Sequence, residues 1–149
     1  MSPVASVQAA ANLSAIPLIL ASVILGALGQ LTMKTGFNAL AASGKMEGLG
    51  YVQKLPLIFM QPWVLMGLAM YVIATFVWFA VLLKAELSFA YPFIALAYVV
   101  TVVGSALLFG EHMNVWKYAA IALIILGVLC LAKGAREVAS GRLAQAVAS

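Results

Sequence analysis

Residues 62–109 run PWVLMGLAMYVIATFVWFAVLLKAELSFAYPFIALAYVVTVVGSALLF, and only Lys84 and Glu86 interrupt them with charge. The flanks, Pro62 to Leu83 and Leu87 to Phe109, each exceed the about 20 apolar residues that a helix needs to cross a bilayer core. The link from Lys84 to Glu86 is barely a turn, so these spans are predicted to form an antiparallel hairpin. Pro62 suits a helix's first turn, where its missing N–H has no intrahelical partner to lose. Leu55 to Met60, just ahead, is expected to approach the membrane at its interface.

Two further spans lie outside the hairpin. The first covers about 15–35 and ends near Lys34, and the last covers about 115–132 and ends at Lys133. Lys117, one turn inside the last span, can snorkel back to the headgroups. The stretch from Gly36 to Lys54 has room for a short surface helix. Gly110 to Asn114 is a tight link, and 133–149 is expected to be a frayed or surface-lying tail. The prediction is an all-α membrane protein: one transmembrane domain over 1–149, built as a four-helix bundle with spans near 15–35, 62–83, 87–109 and 115–132, and expected to dimerise.

Composition leaves no room for a water-soluble globule. Of the 149 residues, 66% are hydrophobic and 8% are charged, with a mean hydropathy of +1.14. A soluble domain carries about 25% charged residues. The net charge of +4 comes from 8 basic and 4 acidic side chains. Those bases sit beside apolar spans, where they anchor helices against phosphate headgroups. No basic patch interleaved with aromatics lies outside the spans, which argues against a nucleic-acid partner and leaves membrane lipids as the expected one. The lone Cys130 cannot form an internal disulfide and is expected to pack as a small hydrophobe. Met1 to Leu13 lacks the basic residues of a secretory signal, so the first span is expected to be retained. Orientation stays open. Lys84, Lys133, Arg136 and Arg142 fall on one side, and Lys34, Lys45, Lys54 and Lys117 on the other. That balance also suits a dual-topology dimer.

In lipid the informative side chains are polar or small, because each must face protein or water. Ser22, Gly26, Gln30 and Lys34 share one face of span one at four-residue steps, with Gly29 beside them. Gly67, Tyr71, Thr75 and Trp78 form a second stripe, and Tyr91, Ala95, Tyr98, Thr101 and Ser105 a third. Either these faces converge on a cavity or their small residues are ordinary packing glue. Gln30 and Lys34 place a carboxamide one turn before an ammonium, which suits an anionic headgroup; Lys34 alone also suits an interfacial anchor. Glu86 and Glu111 bracket the third span as candidate proton or cation sites, or as helix-end residues. Glu111 is placed to face the positive end of the last helix, and Pro92 is compatible with a first-turn proline. Ala119, Ala120, Ala122 and Gly127 make a smooth face suited to an oligomer seam.

The sequence contains no metal-spaced Cys/His cluster, no nucleophile paired with a base and no phosphate-cradling glycine loop. No enzymatic activity, cofactor or metal is therefore expected.

Gly29-Gln30-Leu31-Thr32-Met33-Lys34 resembles the end of the first helix in the drug/metabolite transporter superfamily. Glu86 to Phe93, Leu108-Phe109-Gly110-Glu111 and the helix carrying Gly127 extend that resemblance over Ile16 to Lys133. Two four-helix branches are relevant. Small multidrug resistance proteins are antiparallel dimers that exchange protons for cationic drugs through a glutamate in the first helix. Aligning Met33-Lys34 puts Gly26 at that position, and span one holds no acid. The chain is more similar to aminoarabinose-phosphoundecaprenol flippase subunits, through Gly29-Gln30 with Lys34, Ala90-Tyr91-Pro92 and Glu111. That resemblance implies translocation of a polyprenyl-phosphate-linked sugar, or another amphipathic small molecule, across the bacterial inner membrane by a homo- or heterodimer.

Three functions therefore stand as expectations. The first is a lipid-linked sugar flippase, in which Gln30 and Lys34 contact phosphate and Trp78, Tyr91 and Tyr98 line the sugar path. The second is a proton-coupled exporter of small molecules that uses Glu86 or Glu111. The third is a structural subunit or chaperone of a larger membrane enzyme.

Overall fold

In the computed structural model the backbone of residues 3–147 is described, together with the side chains of residues 7, 8 and 10–138. The described chain is all-helical: α1 (Pro3–Ala42), α2 (Tyr51–Phe59), α3 (Pro62–Leu82), α4 (Leu87–Phe109) and α5 (Val115–Val147). Four of these helices, all but α2, are long and apolar enough to cross a membrane. The protein is a multi-pass membrane protein, because such helices satisfy nearly all their backbone hydrogen bonds internally and present hydrocarbon side chains outward.

Helix α1 extends well past the span expected at 15–35. Hydropathy marks only the part that lipid solvates, whereas backbone hydrogen bonding continues until something stops it. Here that is Gly44, which follows the helix at φ 67° and leaves the right-handed region. Helix α5 likewise continues beyond Lys133, so 133–147 is helical rather than frayed. Helix α3 matches its expected start, with Pro62 in the first turn after the Gln61 cap. Pro92 instead falls in the second turn of α4, where it deprives the Ser88 carbonyl of its intrahelical donor. Helix α2 carries no buried residue, as a surface helix should.

The four spanning helices alternate in direction, and α1 is the hub. It packs against α3 along most of its length, and also against α4 and α5. Two different chemistries hold it there. Against α3 the contact is backbone on backbone: a Cβ on Gly67 would stand 2.5 Å from the Gly29 carbonyl oxygen, and one on Gly36 would stand 3.0 Å from the Val64 nitrogen. Small residues allow this approach, and in lipid it replaces the hydrophobic drive that water would supply. Against α4 and α5 the contact is a side-chain core of Ile19, Val23, Phe89, Phe93 and Val128, joined by Val81 from the end of α3 and gathered at the N-terminal half of α1.

The α3–α4 hairpin is open. Trp78 meets Tyr91 edge-on near the turn, with ring centroids 6.0 Å apart. Elsewhere α3 and α4 scarcely touch.

Candidate functional site

The open hairpin creates the candidate site. A cavity of about 320 Å³ lies between α3 and α4 with α1 as its floor. Ser22, Gly26 and Gln30 line it from α1, Tyr71, Thr75 and Trp78 from α3, and Ile94 and Ala97 from α4. It is open sideways, along the gap between two helices. The 21 residues of α3 span about 31 Å at 1.5 Å each. Tyr71 and Ala74 sit near the middle of that length, so the groove lies at the level of the bilayer centre.

The lining is mixed and uncharged: Ser22, Gln30, Tyr71, Thr75 and Trp78 bring polar groups into a surface that is otherwise apolar. Ser22 donates to the Ile19 carbonyl at 2.9 Å and Thr75 to the Tyr71 carbonyl at 2.9 Å, so both hydroxyls are anchored to their own helices. The Gln30 side-chain oxygen accepts from the Thr101 hydroxyl at 3.4 Å. The phenol of Tyr71, the indole of Trp78 and the amide nitrogen of Gln30 remain as groups that a ligand can engage.

Two of the three predicted stripes converge here. The third does not: α4 contributes Ile94 and Ala97, while Tyr98 is exposed and lies outside the lining. Tyr91 reaches the site only through its contact with Trp78. Helix α4 docks through Phe89, Ala90, Phe93 and Ser105, so its stripe is divided: Ser105 is buried and Thr101 reaches Gln30, while Tyr98 faces outward.

Both carboxylates that bracket the third span are engaged, at opposite ends of the bundle. Beyond the groove's wide end, one turn from Gln30, the Lys34 ammonium is ion-paired with Glu111 and sits 5.3 Å from the Phe109 ring centre. Asn114, not Glu111, caps α5: its side-chain oxygen accepts from the Lys117 N–H at 2.9 Å. At the closed end, Asn12 holds Glu86. The Asn12 side-chain oxygen accepts the Glu86 backbone N–H at 2.9 Å, and its amide donates to the Glu86 carboxylate at 3.4 Å.

Asn12 is 5% exposed and was not anticipated, because it precedes the expected span. The only signal for it was an amide set within an alanine-rich helical run. Asn12→Leu is expected to lower stability by about 1–3 kcal/mol, since it strands a partly buried N–H and loosens the start of α4. Unfolding in detergent micelles would measure this, and a midpoint equal to the parent's would show that Asn12 is a bystander.

Lys34 is thus brought close to Glu111 and lies beside Gln30, but Glu86 stands apart from all three. Among the described residues no group of histidine, cysteine or acidic side chains is arranged to hold a metal ion. No protein-family model, curated protein or solved structure matches this chain.

Proposed function

We propose that the protein translocates an amphipathic, phosphate-bearing lipid across the bilayer, with an uncharged polar headgroup portion passing through the groove and the acyl or prenyl chain remaining in lipid. The carrying observation is the side-open cavity at mid-membrane depth, lined by Gln30, Tyr71, Thr75 and Trp78 and free of charge. A sugar offers hydroxyls to the amide and phenol and apolar C–H faces to the two aromatic rings. A lateral opening lets such a head enter without dragging its tail out of hydrocarbon. Lys34 at the wide end supplies the positive charge that a phosphate requires.

The resemblance to aminoarabinose-phosphoundecaprenol flippase subunits favours a polyprenyl-phosphate-linked sugar and a bacterial inner membrane. The groove lacks what a cation exporter would need. Its drug site needs a desolvated carboxylate in the groove, whereas Glu86 and Glu111 lie at the two ends with partners of their own. The functional unit is proposed to be a dimer, since α5 leaves Trp116, Leu123 and Leu126 exposed on the same side as Ala119, Ala122 and Gly127.

The test is leaflet exchange of a fluorescent polyprenyl-phosphate sugar in proteoliposomes. The parent chain is expected to exceed protein-free vesicles clearly. Lys34→Ala is expected to lose about tenfold of that rate, the equivalent of about 1.4 kcal/mol of charge-assisted binding. A parent no faster than Lys34→Ala would remove the proposal.

A further inference from the structure

We propose that Lys34 is an anion site kept occupied by Glu111, and that a phosphate-bearing headgroup enters the groove by taking the place of the Glu111 carboxylate. This rests on the translocation reading above and gives its entry step a mechanism and a specificity.

Several observations point the same way. Lys34 belongs to α1, which is fixed to α3 through backbone contacts at Gly29 and Gly36. Glu111 belongs to the short link after α4, the helix that forms one wall of the groove. The pair therefore ties the α1 floor to the far end of the α4 wall, where the hairpin is widest, beside the packing of Leu31 against Gly104. Among the described residues the Gln30 to Thr101 contact, at 3.4 Å, is the other polar tie between α1 and α4 at that end, and it is a weak one.

The ion pair is also reachable. The Lys34 and Glu111 side chains are 41% and 35% exposed, which places the pair in the weak, exchangeable class and not among locked buried ones. An ammonium has three donors, and one carboxylate leaves donors over for an incoming phosphate. Phe109 offers its ring to the same cation, so Lys34 keeps a partner while anions change places. The Gln30 amide nitrogen, one turn further in, is the next donor along the path.

An anion that replaces Glu111 takes the carboxylate's place on the Lys34 ammonium and releases this tie. Lys34 thus sets the sign of the charge that is bound, and Glu111 competes with the ligand for it.

The full chain in phosphatidylcholine nanodiscs can be titrated with dodecyl phosphate, with inorganic phosphate and with dodecyltrimethylammonium, against empty nanodiscs. Glu111→Gln is expected to bind dodecyl phosphate about fivefold more tightly than the parent, which corresponds to about 1 kcal/mol. Lys34→Gln is expected to abolish that binding, and the ammonium amphiphile should show none of this dependence. A second measurement needs no variant. A zero-length carbodiimide should link the Lys34 amine to the Glu111 carboxylate in the parent protein, and saturating dodecyl phosphate should suppress that link several-fold.

Unchanged affinity in Glu111→Gln, or a cross-link indifferent to dodecyl phosphate, would overturn the exchange. Inorganic phosphate binding as tightly as dodecyl phosphate would overturn the assignment to a lipid-borne headgroup. If all these results are as expected yet the parent does not accelerate leaflet exchange, the anion exchange stands and the translocation reading falls.

Discussion

Gly67→Ala is expected to destabilise the bundle by about 1–3 kcal/mol, and Gly67→Leu to prevent α1 and α3 from docking at all. The added Cβ would lie 2.5 Å from the Gly29 carbonyl oxygen and 2.8 Å from the Met33 nitrogen. Both obstacles are backbone atoms, so no rotamer change relieves them and the helices must separate. At Gly104 the nearest obstacle is a Leu31 methyl, at 2.4 Å, which can swing aside, so the same substitution there should be milder. Gly127 meets nothing within 4 Å. Gly127→Ala should therefore be neutral or slightly stabilising, as alanine is the better helix former. Unfolding midpoints of the three alanine variants in one detergent would settle the ranking. Equal midpoints for Gly67→Ala and Gly127→Ala would mean that α1 and α3 are not in backbone contact.

Filling the groove should abolish function while sparing the fold. Ala97 lines the cavity from α4, opposite the Gly26 and Tyr71 walls. Ala97 is half-buried and also packs against the core, so a phenylalanine that fills the groove from there is expected to cost about 1–3 kcal/mol while the bundle still forms. Its leaflet exchange is expected to fall to the protein-free rate, because the ring takes the volume that the headgroup must cross. Ala95 is exposed on the same helix and outside the lining, and Ala95→Phe should retain the parent's rate. Parent-like exchange by Ala97→Phe would show that translocation, if present, follows another route.

The contrast between these variants follows from how the bundle is held. The α1–α3 pair is rigid because its contact is backbone against backbone. The gap between α3 and α4 is adjustable because their contact is confined to the turn and the Trp78–Tyr91 pair. A groove between one rigid pair and one looser wall is a geometry in which access can change without unfolding anything.

Much of the candidate site was legible in the sequence. Ser22, Gly26 and Gln30 were set on one face by their spacing, as were Tyr71, Thr75 and Trp78, and both sets line the groove. In those helices polar residues were sparse enough for a single stripe to stand out. Helix α4 was harder to read. Its stripe of Tyr91, Tyr98 and Thr101 was visible, but the helix is docked by phenylalanines that look no different from the lipid-facing residues around them. Gly67 shares the spacing of the polar stripe of its helix, yet its place is in the seam with Gly29.

Residue chemistry alone was enough to establish that the chain lives in a membrane and crosses it with four helices. Transfer from water to hydrocarbon is a sum over residues, so it can be added up along the chain without knowing what touches what. Which faces meet is another matter. Lys34 and Glu111 are 77 residues apart, Asn12 and Glu86 are 74 apart, and neither pairing leaves any local trace. Hydrocarbon solvates an outward-facing leucine as well as a neighbouring helix does, so apolar patterning cannot rank one docking over another. Close fit and a few polar contacts make that choice, and they exist only once the helices are side by side.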